Sequence, residues 1–228
     1  MEFTYYGHSC FSVRIGTKQV LFDPFITPNE LANKTIDVDK IPADYILVSH
    51  AHGDHIADCV RIAKRTGAMV CSSYEVVEWL QKQGVNNNHP LNTGGKRKFP
   101  EFTLKCLVAH HSSSFPDGSY GGNPLGFLIT SQEGSFYYSG DTALTLDMQL
   151  IPRWAKLNFA VLCIGDNFTM DAEDAAECSR MIDCKTIIGA HYDTFSPIKI
   201  DHAKAKKAFE TVGAELHLLK IGETKDLI

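Results

Sequence analysis

The sequence lacks the marks of several large protein classes. No apolar run approaches the roughly 20 residues that span a bilayer; the longest near the middle is Phe159-Ala160-Val161-Leu162-Cys163-Ile164. The opening residues, Met1 to His8, carry neither a basic stretch nor a long apolar one, so no secretory signal and no membrane association are expected. No Pro- or Gly/Ser-rich linker and no fixed repeat divides the chain, so a single domain over residues 1–228 is expected. A basic excess is missing too: 22 Lys+Arg stand against 27 Asp+Glu, a net charge of −5, which argues against a dedicated nucleic-acid binder. Seven cysteines include no Cys-x-x-Cys pair, and Cys71, Cys106 and Cys163 sit inside apolar runs, where a free thiol acts as a small core residue. Reduced cysteines and a cytoplasmic location follow as expectations, with an intermolecular disulfide as the alternative. Neither Gly-x-Ser-x-Gly nor His-Glu-x-x-His occurs.

What is present is an ordinary globular mixture, 44% hydrophobic and 21% charged over 228 residues, ample for a buried core. Residues 11–15 alternate with period two, Gly16-Thr17 breaks them, and 19–22 follow, which predicts a hairpin. Residues 45–49 form a continuous apolar run, as in a strand buried on both faces. A helix is expected over 56–65, stopped by Gly67, then a strand over 68–71. Ser72 with Glu75 reads as a capping box that opens a helix to about Gln83. Further strands are expected at 102–109, 125–130, 135–139, 159–164, 186–189 and 215–219, and helices at 172–182 and 202–212. The basic run Lys96-Arg97-Lys98 and the stretch around His89 read as loops. Two similar halves of mixed strands and helices predict two sheets packed face to face with helices outside.

The densest chemical feature is His50-Ala51-His52-Gly53-Asp54-His55, where a buried strand ends and a helix begins. Crowding imidazoles there gains no packing. Two imidazoles two residues apart leave a strand on one face and can chelate one cation. Gly53 gives the next turn the freedom to send Asp54 and His55 to a second. Neutral imidazole and carboxylate suit zinc, with manganese or iron also acceptable. Four donors do not fill two sites. The further donors are expected from three other segments that end apolar strands: Ala109-His110-His111-Ser112, Ser139-Gly140-Asp141-Thr142 and Gly189-Ala190-His191-Tyr192.

This set, His-x-His-x-Asp-His at 50–55, His111, Gly140-Asp141 and His191, resembles the metallo-β-lactamase superfamily over nearly the whole chain. Gly7-His8-Ser9-x-Phe11, Phe22-Asp23-Pro24-Phe25, Tyr120-Gly121-Gly122-Asn123-Pro124, Gly165-Asp166-Asn167-Phe168-Thr169-Met170 and His191-Tyr192-x-Thr194-Phe195 resemble a bacterial and archaeal branch of metal-dependent hydrolases of unassigned substrate, related to L-ascorbate-6-phosphate lactonase. The resemblance implies an α/β fold, a four-layer αβ/βα sandwich of two mixed sheets flanked by helices, with metals at one rim. It also implies that His50, His52 and His111 bind a first cation, Asp54, His55 and His191 a second, and that Asp141 bridges both. Neighbours on a strand face opposite ways, so only one of His110 and His111 should reach the metals; the residue directly before Ser112-Ser113 matches the family's ligand, so the resemblance implies His111, with His110 a packed or supporting imidazole.

Two divalent ions, Zn2+ or else Mn2+, would then lower the pKa of a bridging water, and the resulting hydroxide would cleave an ester-like bond, a lactone, phosphodiester or thioester, of a small molecule, an anionic one included. Asp54 would orient that hydroxide or take its proton. Around these, His8 reads equally as a rim residue or a hydrogen-bonded turn histidine. Asp23 reads as an anchor for a ligand histidine or a turn-initiating residue before Pro24. Asp166 and Asn167 read as rim residues or an Asx turn. Tyr192 and His8 are candidate leaving-group acids. The polar segment 112–124 is expected to wall the substrate site. The competing readings are a nuclease of the same fold, a redox di-iron protein, which His52 in place of Glu disfavours, and a non-catalytic metal-binding protein. A homo-oligomer stays open.

Overall fold

A computed structural model describes residues 1–228. The strands are β1 (Glu2–Gly7), β2 (Cys10–Ile15), β3 (Lys18–Phe22), β4 (Tyr45–Leu47), β5 (Met69–Ser72), β6 (Asn88–Pro90), β7 (Lys96–Lys98), β8 (Phe102–Val108), β9 (Leu125–Ser131), β10 (Ser135–Tyr138), β11 (Phe159–Cys163), β12 (Thr186–Ala190), β13 (Glu215–His217) and β14 (Thr224–Asp226). The helices are α1 (Gly53–Ile56), α2 (Cys59–Thr66), α3 (Tyr74–Lys82), α4 (Ala172–Met181) and α5 (His202–Thr211), joined by a longer 3-10 segment at Leu146–Arg153.

The strands form two seven-stranded sheets, ordered β14-β1-β2-β3-β4-β5-β6 and β13-β12-β11-β10-β9-β8-β7. Each repeats one plan. The first pairs β14, β1, β2 and β3 antiparallel and then β3, β4, β5 and β6 parallel. The second pairs β7, β8, β9 and β10 antiparallel and then β10, β11, β12 and β13 parallel. The two halves expected from the sequence are therefore two copies of one topology.

Alternation along the strands sorts the apolar side chains into three cores. Phe102, Leu104, Phe136, Tyr138, Phe159 and Val161 face the first sheet's Phe3, Phe11 and Phe22 in a core between the sheets. Phe11 stacks on Phe22 at 4.4 Å and Phe136 on Phe159 at 4.7 Å between centroids, each pair adding about 1 kcal/mol beyond burial. The opposite faces, with Leu107, Tyr137, Ala160 and Leu162, meet α4 and α5. On the other side Ile46 and Val48 meet α2 and α3, while Leu47 points between the sheets, so β4 is buried on both faces. The result is four layers, helices-sheet-sheet-helices.

Four expectations change in detail. The helix predicted over 56–65 is two helices. Ala57 and Asp58 interrupt it, because the Asp58 carboxylate accepts from Ile26 N (2.7 Å), Thr27 N (2.8 Å) and Thr27 Oγ1 (2.6 Å) and so is tied to the preceding loop. The α3 cap is Ser73, which accepts from Val76 N, whereas Ser72 is still in β5 and donates to Val48 O at 2.6 Å. Lys96–Lys98 is an edge strand on β8, with Arg97 over the Phe99 ring at 5.0 Å, and His89 lies in the opposite edge strand β6. Lysines on an exposed edge deter pairing with a second chain. The terminal strands β1 and β14, together with the 3-10 segment, complete the elements that periodicity passed over.

All seven cysteines are free and buried. Burial pushes their thiols up, to about 12 for Cys71 and Cys106 and about 11 for Cys184. No helix is long and apolar enough to cross a membrane.

Candidate metal centre

The site collects at the rim where strands of both sheets end. After β4, Ser49 N donates to Asp23 Oδ1 (2.7 Å) and Ser49 Oγ to Asp23 Oδ2 (2.6 Å). Tyr138 OH, from the other sheet, donates to the same Oδ2 at 2.6 Å. His55 Nδ1 lies 2.7 Å from it and, facing a carboxylate, must carry the proton. That fixes the tautomer and turns His55 Nε2 into the cavity. The structure thus gives Asp23 the anchoring position rather than that of a simple turn residue.

Asp141 reaches the same cavity because Gly140 lies in the left-handed region at φ 60°, and a Cβ there would stand 2.6 Å from Leu125 O. Asp141 Oδ2 lies 2.9 Å from His191 Nε2, 3.2 Å from His55 Nε2, 3.7 Å from His111 Nε2 and 4.0 Å from His50 Nε2. His50 Nε2 approaches His52 Nδ1 to 2.9 Å, near the spacing of about 3.3 Å between two nitrogens on one tetrahedral zinc. Asp54 Oδ2 lies 3.0 Å from His8 Nε2 and 3.7 Å from both His55 Nε2 and His191 Nε2. Donor atoms within 4.8 Å of one another fall into three groups: His50, His52 and His111; His8, Asp54, His55 and His191; and His50, His55 and Asp141. Three buried polar atoms of the cluster, His55 Nε2, Asp141 Oδ1 and His191 Nδ1, have no hydrogen-bond partner. Buried polar atoms are nearly always paired, so this density of orphans marks a place shaped for something beyond the chain's own groups. Imidazole nitrogens and carboxylate oxygens are what a divalent cation takes.

Comparison with known proteins shows the family. Residues 18–192 match the beta-lactamase superfamily domain. A UPF0173 metal-dependent hydrolase of Christiangramia forsetii is 50% identical over the full length of both chains. The chain belongs to the metallo-β-lactamase superfamily, in its UPF0173 metal-dependent hydrolase family. Among solved structures, Igni18, a metallo hydrolase of the archaeon Ignicoccus hospitalis, is 32% identical with a TM-score of 0.88, covering 98% of this chain and 97% of that one. An isothiocyanate hydrolase from Delia radicum gut bacteria, 18% identical with a TM-score of 0.80 and 99% of each chain covered, shares the fold.

In this UPF0173 hydrolase the protons of the cluster are set by burial against charge. Burial pushes His50 well down, with His55 adding to it, and lowers His52 and His111. Burial acts the same way on His191 and His55, but the Asp141 carboxylate outweighs it and lifts His191 to about 9 and His55 well above its ordinary value. Burial would raise Asp54 and Asp141. The neighbouring imidazoles win and hold both carboxyls far below their usual range, led by His55 at Asp54 and His191 at Asp141. Without cations, protons therefore stand in for positive charge among these groups.

The cavity opens over His52, Asp54 and His111, which are half-buried, while His8, His50, His55, Asp141 and His191 are buried. Ser112 Oγ stands 3.4 Å from His52 Nε2 at that opening. The segment 112–124 is anchored there: Ala51 N donates to Ser113 Oγ (3.2 Å), Ser114 pairs with Tyr120, and Phe115 stacks on Trp79 at 4.9 Å. A groove of about 510 Å³, lined by Thr93, His110, Asn123 and Pro124, runs up to His111.

Several expected neighbours of the site lie elsewhere. His110 is exposed instead of packed: β8 stops at Val108, and His110 N and O are bound to Thr142 Oγ1 and Ala143 N, so strand alternation no longer governs it. Tyr192 packs in the outer core, edge-on to His202 at 5.8 Å, and burial pushes its hydroxyl up. Asp166 and Asn167 are exposed left-handed residues of a tight turn, in which Asn167 N donates to Asp166 Oδ1 at 2.6 Å. Asp166 lines a pocket with Asp171, Lys199 and Lys204 to which no residue of the cluster contributes. Sequence reasoning gave no role to Ser49, Tyr138 and Thr194: the first two stood only as hydroxyls near donor segments, and Thr194 only as a member of the His191 motif.

Proposed function

We propose that this UPF0173 hydrolase holds two divalent cations, Zn2+ or Mn2+, and uses them to cleave an ester-like bond, a lactone, phosphodiester or thioester, in a small anionic molecule. The observation that carries the reading is Asp141 Oδ2, set within 4.0 Å of an imidazole nitrogen from each donor group. His50, His52 and His111 would hold one cation, Asp54, His55 and His191 the other, with Asp141 between them. When bound, the cations supply an acidified water as nucleophile and positive charge for the attacked oxygen. The chain's own part is placement. Asp23 and Ser49 lock the rings of His55 and His50, Asp141 ties the groups together, and half-buried Asp54 stands where it can orient or deprotonate the attacking water.

The polar groove beside His111 supports a small molecule as substrate, and its size is in the range of small-ligand sites. The resemblance to the lactonase-related branch favours lactones within the ester class. Seven unpaired buried thiols support a reducing compartment such as the cytoplasm. Metal analysis of the purified protein, with a hydrolysis screen over lactones, phosphodiesters and thioesters before and after chelation, tests the proposal. Two equivalents of metal and chelator-sensitive turnover are expected. Turnover that survives complete metal removal would overturn it.

A further inference from the structure

We propose that His8 is a positioning residue of the metal centre: an imidazole that bridges Thr194 and Asp54 and so aims that carboxylate at the cation shared with His55 and His191. The proposal rests on the binuclear reading above and gives a distinct part to a turn far from the donor motif in sequence.

His8 is 1% exposed, so it does not meet substrate from solvent. Its ring is packed by Phe25 and Phe195 at 5.5 and 5.4 Å and lies 4.3 Å from the ring of His191. Both ring nitrogens are engaged: Nε2 is 3.0 Å from Asp54 Oδ2, and Nδ1 is 3.0 Å from Thr194 Oγ1. An ionised carboxylate only accepts, so Nε2 carries the hydrogen. At Nδ1 the ring meets the Thr194 hydroxyl, whose single hydrogen also has the Tyr192 carbonyl within reach at 3.3 Å, so Thr194 holds the far side of the ring either as donor or as acceptor. The opposite tautomer would set a lone pair of Nε2 against the Asp54 oxygen. With its Nε2 hydrogen committed to Asp54, His8 is a support for a ligand rather than a ligand.

The backbone repeats the same clamp. His8 has φ 56°, a left-handed conformation uncommon outside glycine. Its carbonyl accepts from Tyr5 OH at 3.1 Å and from His191 N at 3.0 Å, and His191 is itself left-handed at φ 56°. Strained conformations persist where the surroundings over-determine them, and they cluster at functional sites. One residue thus fixes the side chain of Asp54 through its ring and the backbone of His191 through its carbonyl. It also joins the β1–β2 turn of one sheet to the end of β12 in the other. On the opposite donor group the support differs: Ser49 Oγ meets His50 Nδ1 at 2.9 Å.

The test is stepwise titration of the metal-free proteins with Zn2+ by calorimetry and with Co2+ by visible absorption, which reports ligand geometry. His8→Asn keeps a residue that tolerates the left-handed backbone. Thr194→Val removes only the hydroxyl behind His8. Wild type should take two equivalents. In His8→Asn one equivalent should weaken about 10- to 100-fold, as for loss of a ligand's supporting hydrogen bond, with its Co2+ band altered and the other equivalent unchanged. Thr194→Val should move the same equivalent by less. Equal weakening of both equivalents, or two unchanged ones, would overturn the proposal, as would a Thr194→Val protein that matches wild type. If His8→Asn does not fold, Thr194→Val decides. A wild type that takes one equivalent would sink the binuclear reading instead, and the His8 proposal would then stand only if that equivalent weakens in the variants.

Discussion

The two donor groups of the proposed binuclear centre are built in opposite ways. His50, His52 and His111 are three imidazoles, two of them half-buried at the opening, and their contacts outside the group are few: Ser49 behind His50 and Ser112 beside His52. Asp54, His55 and His191 are backed by a network drawn from both sheets, with Asp23, Ser49 and Tyr138 behind His55 and His8 and Thr194 behind Asp54. The difference teaches where rigidity is placed. In this second group His55 and His191 are buried and only Asp54 reaches the opening, and all three are oriented by the protein before any cation would arrive. The open group faces the groove by which a substrate would come.

The largest effect expected is at the group common to both. Asp141→Ala, like His191→Ala, should abolish turnover and lower metal content, measured by elemental analysis and a hydrolysis assay; full activity in both would dissolve the contrast altogether. Next comes Asp23→Asn. It should weaken the Asp54–His55–His191 equivalent about 10- to 100-fold and, through Ser49, the other equivalent by less, and lower the stability of the metal-free protein by about 3 kcal/mol, because buried His55 loses its charged partner. Denaturant melts with metal titrations check both, and equal loss at the two equivalents would erase the asymmetry.

A smaller effect is expected with pH. His191 is lifted to about 9 and His55 is also raised in the folded metal-free chain, against about 6.5 when unfolded. Their stabilisation is complete below about 6.5 and fades as pH climbs through the folded value. The melting temperature of metal-free protein should therefore fall between about pH 6.5 and 9, while metal affinity rises as competing protons leave. Parallel melts of loaded and metal-free protein measure this, and a metal-free curve flat across that window would contradict it. The smallest effect is at the groove: His110→Ala should raise KM a few-fold and leave both metal equivalents intact, whereas loss of metal would make His110 part of the open group.

The centre was legible in the sequence to the extent that it is local. His50 to His55 announce themselves by density, and Asp141 and His191 by standing where apolar runs stop. The fold was legible because alternation at 102–108 and 135–138 records which face meets which core. What escaped depends on contacts made across the chain. The split between α1 and α2 comes from Asp58 binding the 26–27 loop, and the exposure of His110 from its bonds to 142–143. Thr194 reaches His8 across a separation of 186 residues. Lys96–Lys98 and Asn88–Pro90 escaped because short, polar edge strands carry no apolar alternation.

The seven burial-raised thiols have a practical consequence. With their sulfur atoms enclosed and protonated at neutral pH, an alkylating reagent finds no thiolate on a closed molecule. Each modification event then dates a moment when the chain came apart, so the protein carries its own internal clock for opening, readable without any added label.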